Sequence, residues 1–461
     1  MTDTANDRDV QAAVEYVRAH LECAREDRDI PGLSAAIVYQ GETLWAGGYG
    51  YADAAAARPA TADTVYPLAS ITKVVTCCAV MRLRDEGKLQ LDDPISRFIQ
   101  PFPVRKPSPE TPEPTLRQIA SHTAGFQRET PSDAWETLVF PSIEELLGSL
   151  ADVELVFPPL KQFKYSNIAY ALLGHVVTLV SGRPYTEYVE TEILASLGMA
   201  SSAFEPQGEV AERVTTRYPW CDEQGPGDPG PPLSIGCFYP VGGLCASVVD
   251  IARFAAFHLG FPPEGAEGVL ARPSAREMQT PQWVQPDGSG GHAIGWGWGK
   301  AAGRFAVGHS GGIPGLSTDL RLVPELELAT AVFTNGGGMA SEVNTEVAEI
   351  LAPAFARARK RNEPKKPRKG EPAPPGWSAY LGKYESSISN QEAEVHLIDG
   401  TLYVRIVSTG LGDAVKLEPR AAHTFTMRGG ASEGDVLVFE MDEAGRAVGL
   451  TMATYPYRRK S

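Results

Sequence analysis

Cysteine is scarce in this chain, and the little there is forms no ligand pattern. Six residues are spread over 461 positions (Cys23, Cys77, Cys78, Cys221, Cys237 and Cys245), none of them in a CxxC pair. A metal site wants Cys/His clusters at short spacing, and the eight histidines are scattered. No metal and no cofactor is expected. Long apolar runs are missing too. Without a stretch of about 18 apolar residues, no membrane span is expected. The start of the chain, Met1 to Asp9, is polar and acidic with no apolar segment behind it. No signal peptide is therefore expected, and the cytoplasm is the expected location. Positive charge is also short: 42 Lys and Arg stand against 57 Asp and Glu, a net charge of −15. A chain of that sign is a poor partner for nucleic acid.

The one basic stretch is residues 357–369. It holds eight Lys or Arg and one Glu363, net +7, which leaves −22 for the rest. Pro364 and Pro367 punctuate it, and Pro372, Pro374 and Pro375 follow directly. Proline favours extended backbone, so 357–375 reads as a semi-rigid, solvated linker. Docking of this run on RNA or acidic lipid is the alternative. Before it, apolar periodicity predicts a helix over 8–30, a hairpin of Leu33–Tyr39 with Thr43–Tyr49, and a mostly apolar helix over 71–87. A helix over Ile168–Val180 follows. Strands are expected at Phe305–Gly308, Thr318–Val323 and Leu328–Phe333, with a closing helix over 343–358. Beyond the linker, Ala393–Ile398, Thr401–Ile406, Thr424–Met427, Val436–Glu440 and Leu450–Ala453 read as short strands of a small antiparallel barrel or sandwich.

Chemistry concentrates in three short motifs in one order: Ser70-Ile71-Thr72-Lys73, Tyr165-Ser166-Asn167 and His309-Ser310-Gly311. Ser70 stands just before an apolar helix, where free N–H groups favour developing negative charge. Lys73 lies one turn on, among apolar neighbours. A desolvated lysine loses its proton more readily and can then accept one from a hydroxyl. Tyr165 and Asn167, two apart, can face one cleft from an extended segment. The phenol can relay a proton, and the amide can hold Lys73 and a substrate carbonyl. His309 can polarise the tyrosine or the substrate. Glycines 311 and 312 let a substrate backbone approach, and the N–H groups of Ser70 and Gly312 can form an oxyanion hole. The bland reading of each motif alone is a helix cap, a packing tyrosine or a glycine-rich turn.

Gly308-His309-Ser310-Gly311-Gly312 is also a formal G-x-S-x-G nucleophile elbow. That motif needs a helix after the serine, whereas Ile313-Pro314-Gly315-Leu316 and a strand follow here. The elbow is therefore set aside.

Over residues 10–356 the chain resembles the serine β-lactamase and penicillin-binding-protein superfamily, in its class C-like branch. That branch includes family VIII carboxylesterases, D-aminopeptidases and penicillin-binding-protein-type thioesterases. The three motifs carry the resemblance, supported by Ile119-Ala-Ser-His-Thr-Ala-Gly125, Leu91-Asp-Asp-Pro94 and Gly242-Gly-Leu244. It implies an α+β fold, an antiparallel sheet flanked by helices plus an all-helical region, with the site between them. It implies Ser70 as acylated nucleophile, Lys73 and Tyr165 sharing the proton transfers, and Asn167, His309, Ser310 and Gly311 as substrate contacts. The domains expected are a hydrolase domain over 1–356, a linker over 357–375 and a lipocalin-like β-barrel over 376–461. Many relatives carry Lys-Thr-Gly where this chain has His309-Ser310-Gly311, so a fixed cation for a β-lactam carboxylate is missing.

The function expected is a serine hydrolase acting on a small ester, amide or D-peptide, with carboxylesterase first. D-aminopeptidase or D-amino-acid amidase, and peptidyl cyclase or thioesterase, are alternatives. A non-catalytic binding protein is the rival of another class, and a homo-oligomer is possible for any of them.

Overall fold

A computed structural model describes residues 4–460 except 131, 133, 223–224, 232–234, 267, 363–372, 387, 389–390 and 407–413. The chain divides into two compact units, Met1–Asn362 and Glu363–Ser461.

The first unit is built on a nine-stranded antiparallel sheet. Helix α1 (Arg8–Asp27) opens it, capped by Asp7 and burying Val10, Val14, Val17 and Leu21 along one stripe. Strand β1 (Gly32–Tyr39) is apolar and buried along its whole length, as a central strand covered on both faces must be. It turns through Gln40 and Gly41, both at positive φ, into β2 (Glu42–Asp53). That two-residue turn matches the twist of the hairpin. Three further long strands, β3 (Gly297–Ala301), β4 (Arg304–Ile313) and β5 (Leu316–Val323), lead to β6 (Leu328–Thr334). The spatial order of these is β2-β1-β6-β5-β4-β3, with short strands at either end.

The sheet separates two cores. On one face, odd-numbered side chains of β1 (Leu33, Ala35, Ile37) pack with α1 and with the last helix of the unit, α5 (Ala340–Asn362). On the other face lies the larger core, formed around α2 (Thr72–Asp85), α3 (Asn167–Ser181) and α4 (Val248–His258). Helix α2 is buried nearly all round, which is why its sequence is apolar without a polar stripe.

The second unit is a closed barrel of eight antiparallel strands, from Gly382–Ser386 round to Tyr455–Arg459. Its interior is filled by Tyr384, Leu402, Leu417, Phe425, Phe439 and Leu450. Closure removes the edges that a sandwich would leave. Three of the eight strands, Gly382–Ser386, Val415–Ala421 and Tyr455–Arg459, are additional to the five runs expected from sequence.

The expected linker start at 357 is corrected. Helix α5 continues to Asn362, because Leu351, Phe355 and Ala358 extend its buried stripe. Arg361 pairs with Asp7 (2.5 Å) and Asp9 (3.0 Å), and Arg359 with Glu327 (3.4 Å). Basic residues there anchor a helix rather than decorate a spacer. Of the rest of the expected linker, 363–372 lie outside the described residues, and 373–375 lead into the short turn Trp377–Tyr380.

Candidate active site

Ser70 sits in a 3-10 turn, Ala69–Ile71, that runs straight into α2. Ala69, just before it, has φ +47°. A non-glycine residue there costs about 1–3 kcal/mol and is held only by over-determined surroundings. Those surroundings are present: the Leu68 N–H donates to Leu244 O at 2.7 Å, and Thr318 Oγ1 donates to Leu68 O at 2.8 Å. Strand β4 presses on the same turn. A Cβ on Gly311 would stand 2.2 Å from Leu68 O and 2.4 Å from Thr318 Oγ1, so only glycine fits.

Lys73 is fully buried. Its Nζ donates to Ser70 Oγ and to Val241 O, each at 3.0 Å. Among the described residues it has no carboxylate within ion-pair distance. Burial therefore holds its pKa well below the ordinary lysine value, opposed by the charge of Glu129 and assisted by that of Arg128. The Tyr165 hydroxyl donates to the same Ser70 Oγ at 2.8 Å. Burial pushes its pKa up to about 12, so the phenol keeps its proton at neutral pH. The Lys73 amine stands 4.9 Å from the centroid of the Tyr165 ring. Serine, lysine and tyrosine thus meet at one oxygen.

Ser166, not Asn167, caps α3: its hydroxyl accepts from the Ala169 N–H at 3.1 Å and donates to Gln127 O at 2.7 Å. Asn167 is the first helical residue and lines the cleft in front of Ser70 together with Gly312. The expected bond from its amide to Lys73 is not made. Its Nδ2 donates instead to Glu129 Oε1 at 2.7 Å, and Lys73 spends its donors on Ser70 and Val241. Among the described residues the Asn167 Oδ1 atom has no hydrogen-bond partner.

The third motif lies wholly within β4 rather than at its edge. His309 faces the site, with ring centroids 6.4 Å from Tyr165. Its Nδ1 donates to Ser310 O at 2.7 Å, which leaves Nε2 unprotonated. Desolvation pushes its pKa down to about 3, so the ring is neutral at pH 7. Ser310 is the exception among the expected contacts. Its neighbours 309 and 311 face Ser70, so strand alternation turns its side chain to the opposite face, where it lines a depression with Asp319 and Arg321. Gly312 is paired opposite Ser317, one residue before the Ile313–Leu316 pair that flanks the turn.

Sequence reading missed several participants. His122 stacks on Tyr165, Arg128 lies 5.2 Å from the same ring centroid, and Glu129 holds Asn167. The Val241 carbonyl has no side-chain signature at all. His122 falls within the Ile119–Gly125 phrase, which was its only signal. The cleft walls are apolar, formed by Trp135, Phe140, Ile235, Phe238, Val241 and Ile313. Among the described residues, no group of His, Cys, Asp and Glu is arranged to hold a metal ion, and no helix is long and apolar enough to cross a membrane.

A family model described as Beta-lactamase matches residues 17–353. The chain is 28% identical over 381 residues to "Putative beta-lactamase-like 1" of Homo sapiens, covering 79% of this chain and 72% of that protein. It is 28% identical over 374 residues to "Penicillin-binding protein 4" of Amycolatopsis lactamdurans, covering 78% and 94%. Among solved structures, the octameric penicillin-binding protein homologue from Pyrococcus abyssi is similar with a TM-score of 0.64 at 24% identity. That match covers 96% of this chain and 99% of the other. At that identity the likeness speaks for the fold, including the antiparallel sheet with its helices and the barrel.

Proposed function

The chain belongs to the Beta-lactamase family, and on that footing we propose that it is a serine hydrolase forming an acyl-enzyme on Ser70, with carboxylic esters as its preferred substrates. The observation that carries this reading is the convergence of Lys73 Nζ (3.0 Å) and the Tyr165 hydroxyl (2.8 Å) on Ser70 Oγ, with the lysine buried and, among the described residues, unpaired by any carboxylate.

A neutral Lys73 takes the Ser70 proton as Oγ bonds to the substrate carbonyl carbon. The carbonyl oxygen becomes an oxyanion, held by the N–H groups of Ser70 and Gly312. Antiparallel alternation supports the second donor. Ile313 and Leu316 flank a two-residue turn and form a hydrogen-bonded pair, so Gly312 belongs to a non-hydrogen-bonded pair and its N–H turns to the free edge of β4. Strand β3 leaves that edge at Gly308. Collapse of the intermediate breaks the bond to the leaving group, which takes a proton from Lys73 relayed through Tyr165. Water then attacks the acyl carbon, gives its proton to the same pair, and Ser70 is released with the acid.

Esters rank first because the cleft walls are apolar, with no Lys or Arg among their described lining residues, which suits an uncharged acyl group. Neutral His309 supplies no fixed charge for a carboxylate. Amide or D-peptide cleavage and acyl transfer to an amine use the same steps with another leaving group or acceptor.

The test is hydrolysis of p-nitrophenyl esters, D-amino acid p-nitroanilides and a penicillin by wild type and Ser70→Ala. Ester turnover that vanishes in the variant supports the proposal. Ester turnover unchanged in Ser70→Ala refutes it, and failure of a fluorophosphonate to label folded wild type favours a protein that binds without catalysis.

A further inference from the structure

Behind the catalytic cleft lies a second, larger cavity of about 630 Å3. It opens between α3, the helix Tyr185–Val189 and the segment 236–240. One stretch of chain separates it from the cleft. Gly236, Cys237, Tyr239 and Pro240 face the cavity, while Ile235, Phe238, Val241 and Gly242 face the cleft. Among the described residues the two spaces share no lining residue.

The cavity wall has a distinct chemistry. Among the described residues three carboxylates line it, Glu144, Glu190 and Glu205, and no Lys or Arg does. His175 adds no positive charge near neutral pH, since burial lowers its pKa. Three aromatic rings complete the wall in an edge-to-face chain. Tyr185 and Phe204 have centroids 5.3 Å apart, and Phe204 and Tyr239 5.9 Å. Tyr239 donates to Glu205 Oε1 at 2.5 Å, and Glu190 Oε1 accepts from the Phe204 N–H at 2.9 Å. Those bonds fix ring and acid positions and leave the second oxygen of each carboxylate free of them. Aromatic faces with carboxylates behind them attract organic cations, through ring quadrupole and charge together. A volume of this size suits a small molecule.

The partition also touches the reacting groups. Val241 O accepts from Lys73, and Pro240 O, one residue earlier, accepts from Thr76 Oγ1 at 2.6 Å. Lys73 and Thr76 are successive turns of α2. Helix α3 begins at Asn167 in the cleft and lines the cavity from Ala171 to Thr178. A Cβ at Gly174 would lie 2.0 Å from Pro240 Cγ, so helix and partition are in direct contact.

We propose that this cavity is a second ligand site, for a small organic ammonium ion, coupled to the catalytic cleft through the Tyr239–Gly242 helix. Binding is independent of the Ser70 reading, whereas the coupling rests on it.

The experiment uses full-length protein carrying Ser70→Ala, titrated calorimetrically with choline and with its neutral isostere 3,3-dimethylbutan-1-ol. Choline binds saturably, and the isostere binds about tenfold more weakly because it lacks the charge. Glu144→Gln with Glu205→Gln weakens choline by about the same factor, and Thr178→Trp, which fills the cavity while keeping the carboxylates, abolishes binding. Absence of saturable choline binding, equal affinity for the isostere, or unchanged affinity in both variants overturns the site. In the protein with Ser70 intact, saturating choline changes the rate of fluorophosphonate labelling severalfold, and Thr178→Trp removes that response. Choline binding without any change in labelling retains the site and overturns the coupling.

Discussion

The ring of His122 lies against the ring of Tyr165, centroids 4.3 Å apart and planes 29° from parallel. His122 is itself fixed, since its Nδ1 accepts the Ser166 N–H at 3.2 Å, and burial keeps it neutral. A rigid, uncharged platform therefore aims the phenol at Ser70 Oγ. Tyr165→Phe keeps the stack and removes only the hydroxyl. We expect kcat for activated esters to fall by about 10²–10³, with KM little changed and the thermal melt preserved. Unchanged kcat would remove Tyr165 from the proton relay.

Lys73 is a buried amine whose folded pKa lies well below its unfolded one. Between the two values the unfolded chain binds a proton that the folded chain lacks. The group therefore costs stability, most below the lowered pKa, and the cost disappears as pH rises towards about 10. Lys73→Met should raise Tm at pH 7 while abolishing turnover, with the Tm difference shrinking towards pH 10. A variant less stable than wild type at pH 7 contradicts this.

Glu129 and Arg128 pull Lys73 in opposite directions. The carboxylate favours the ammonium form, and the guanidinium disfavours it. On the proposed mechanism only the neutral amine accepts the Ser70 proton, so kcat/KM should fall on the acid side. Glu129→Gln should move that limb to lower pH and Arg128→Ala to higher pH. Shifts of the same sign in a pH–rate profile would show that the acid limb belongs to another group.

His309-Ser310-Gly311 stands where many relatives carry Lys-Thr-Gly, and His309, with its pKa near 3, supplies no cation there. His309→Lys should speed acylation by benzylpenicillin about tenfold, measured by intact mass, and leave esters slower or unaffected. No gain would mean that the carboxylate lies elsewhere.

Much of this site was legible in the chain because its reactive groups are side chains in short local motifs. Ser70 and Lys73 share one helical turn, and glycine is required at 311 because a Cβ there would stand 2.2 Å from Leu68 O. The groups that tune them were not legible. Val241 acts through its carbonyl, which any residue carries. Glu129 reaches Asn167 across 38 positions of sequence, where no periodicity applies. Ser310 was expected among the contacts because motif reading ignores which way a strand residue points. In the barrel, Val415–Ala421 buries only Leu417, so its sequence shows no alternation. Tyr455–Arg459 carries Pro456, which weakens any reading as a strand. The basic end of α5 looked like linker because charge outweighed its buried stripe.

The most direct test of the Ser70 account is intact-protein mass spectrometry of wild type and Ser70→Ala after exposure to a fluorophosphonate and to p-nitrophenyl esters. The account predicts one covalent adduct on wild type, none on the variant, and ester turnover confined to wild type. An adduct of equal yield on Ser70→Ala, or turnover that survives the substitution, would contradict it.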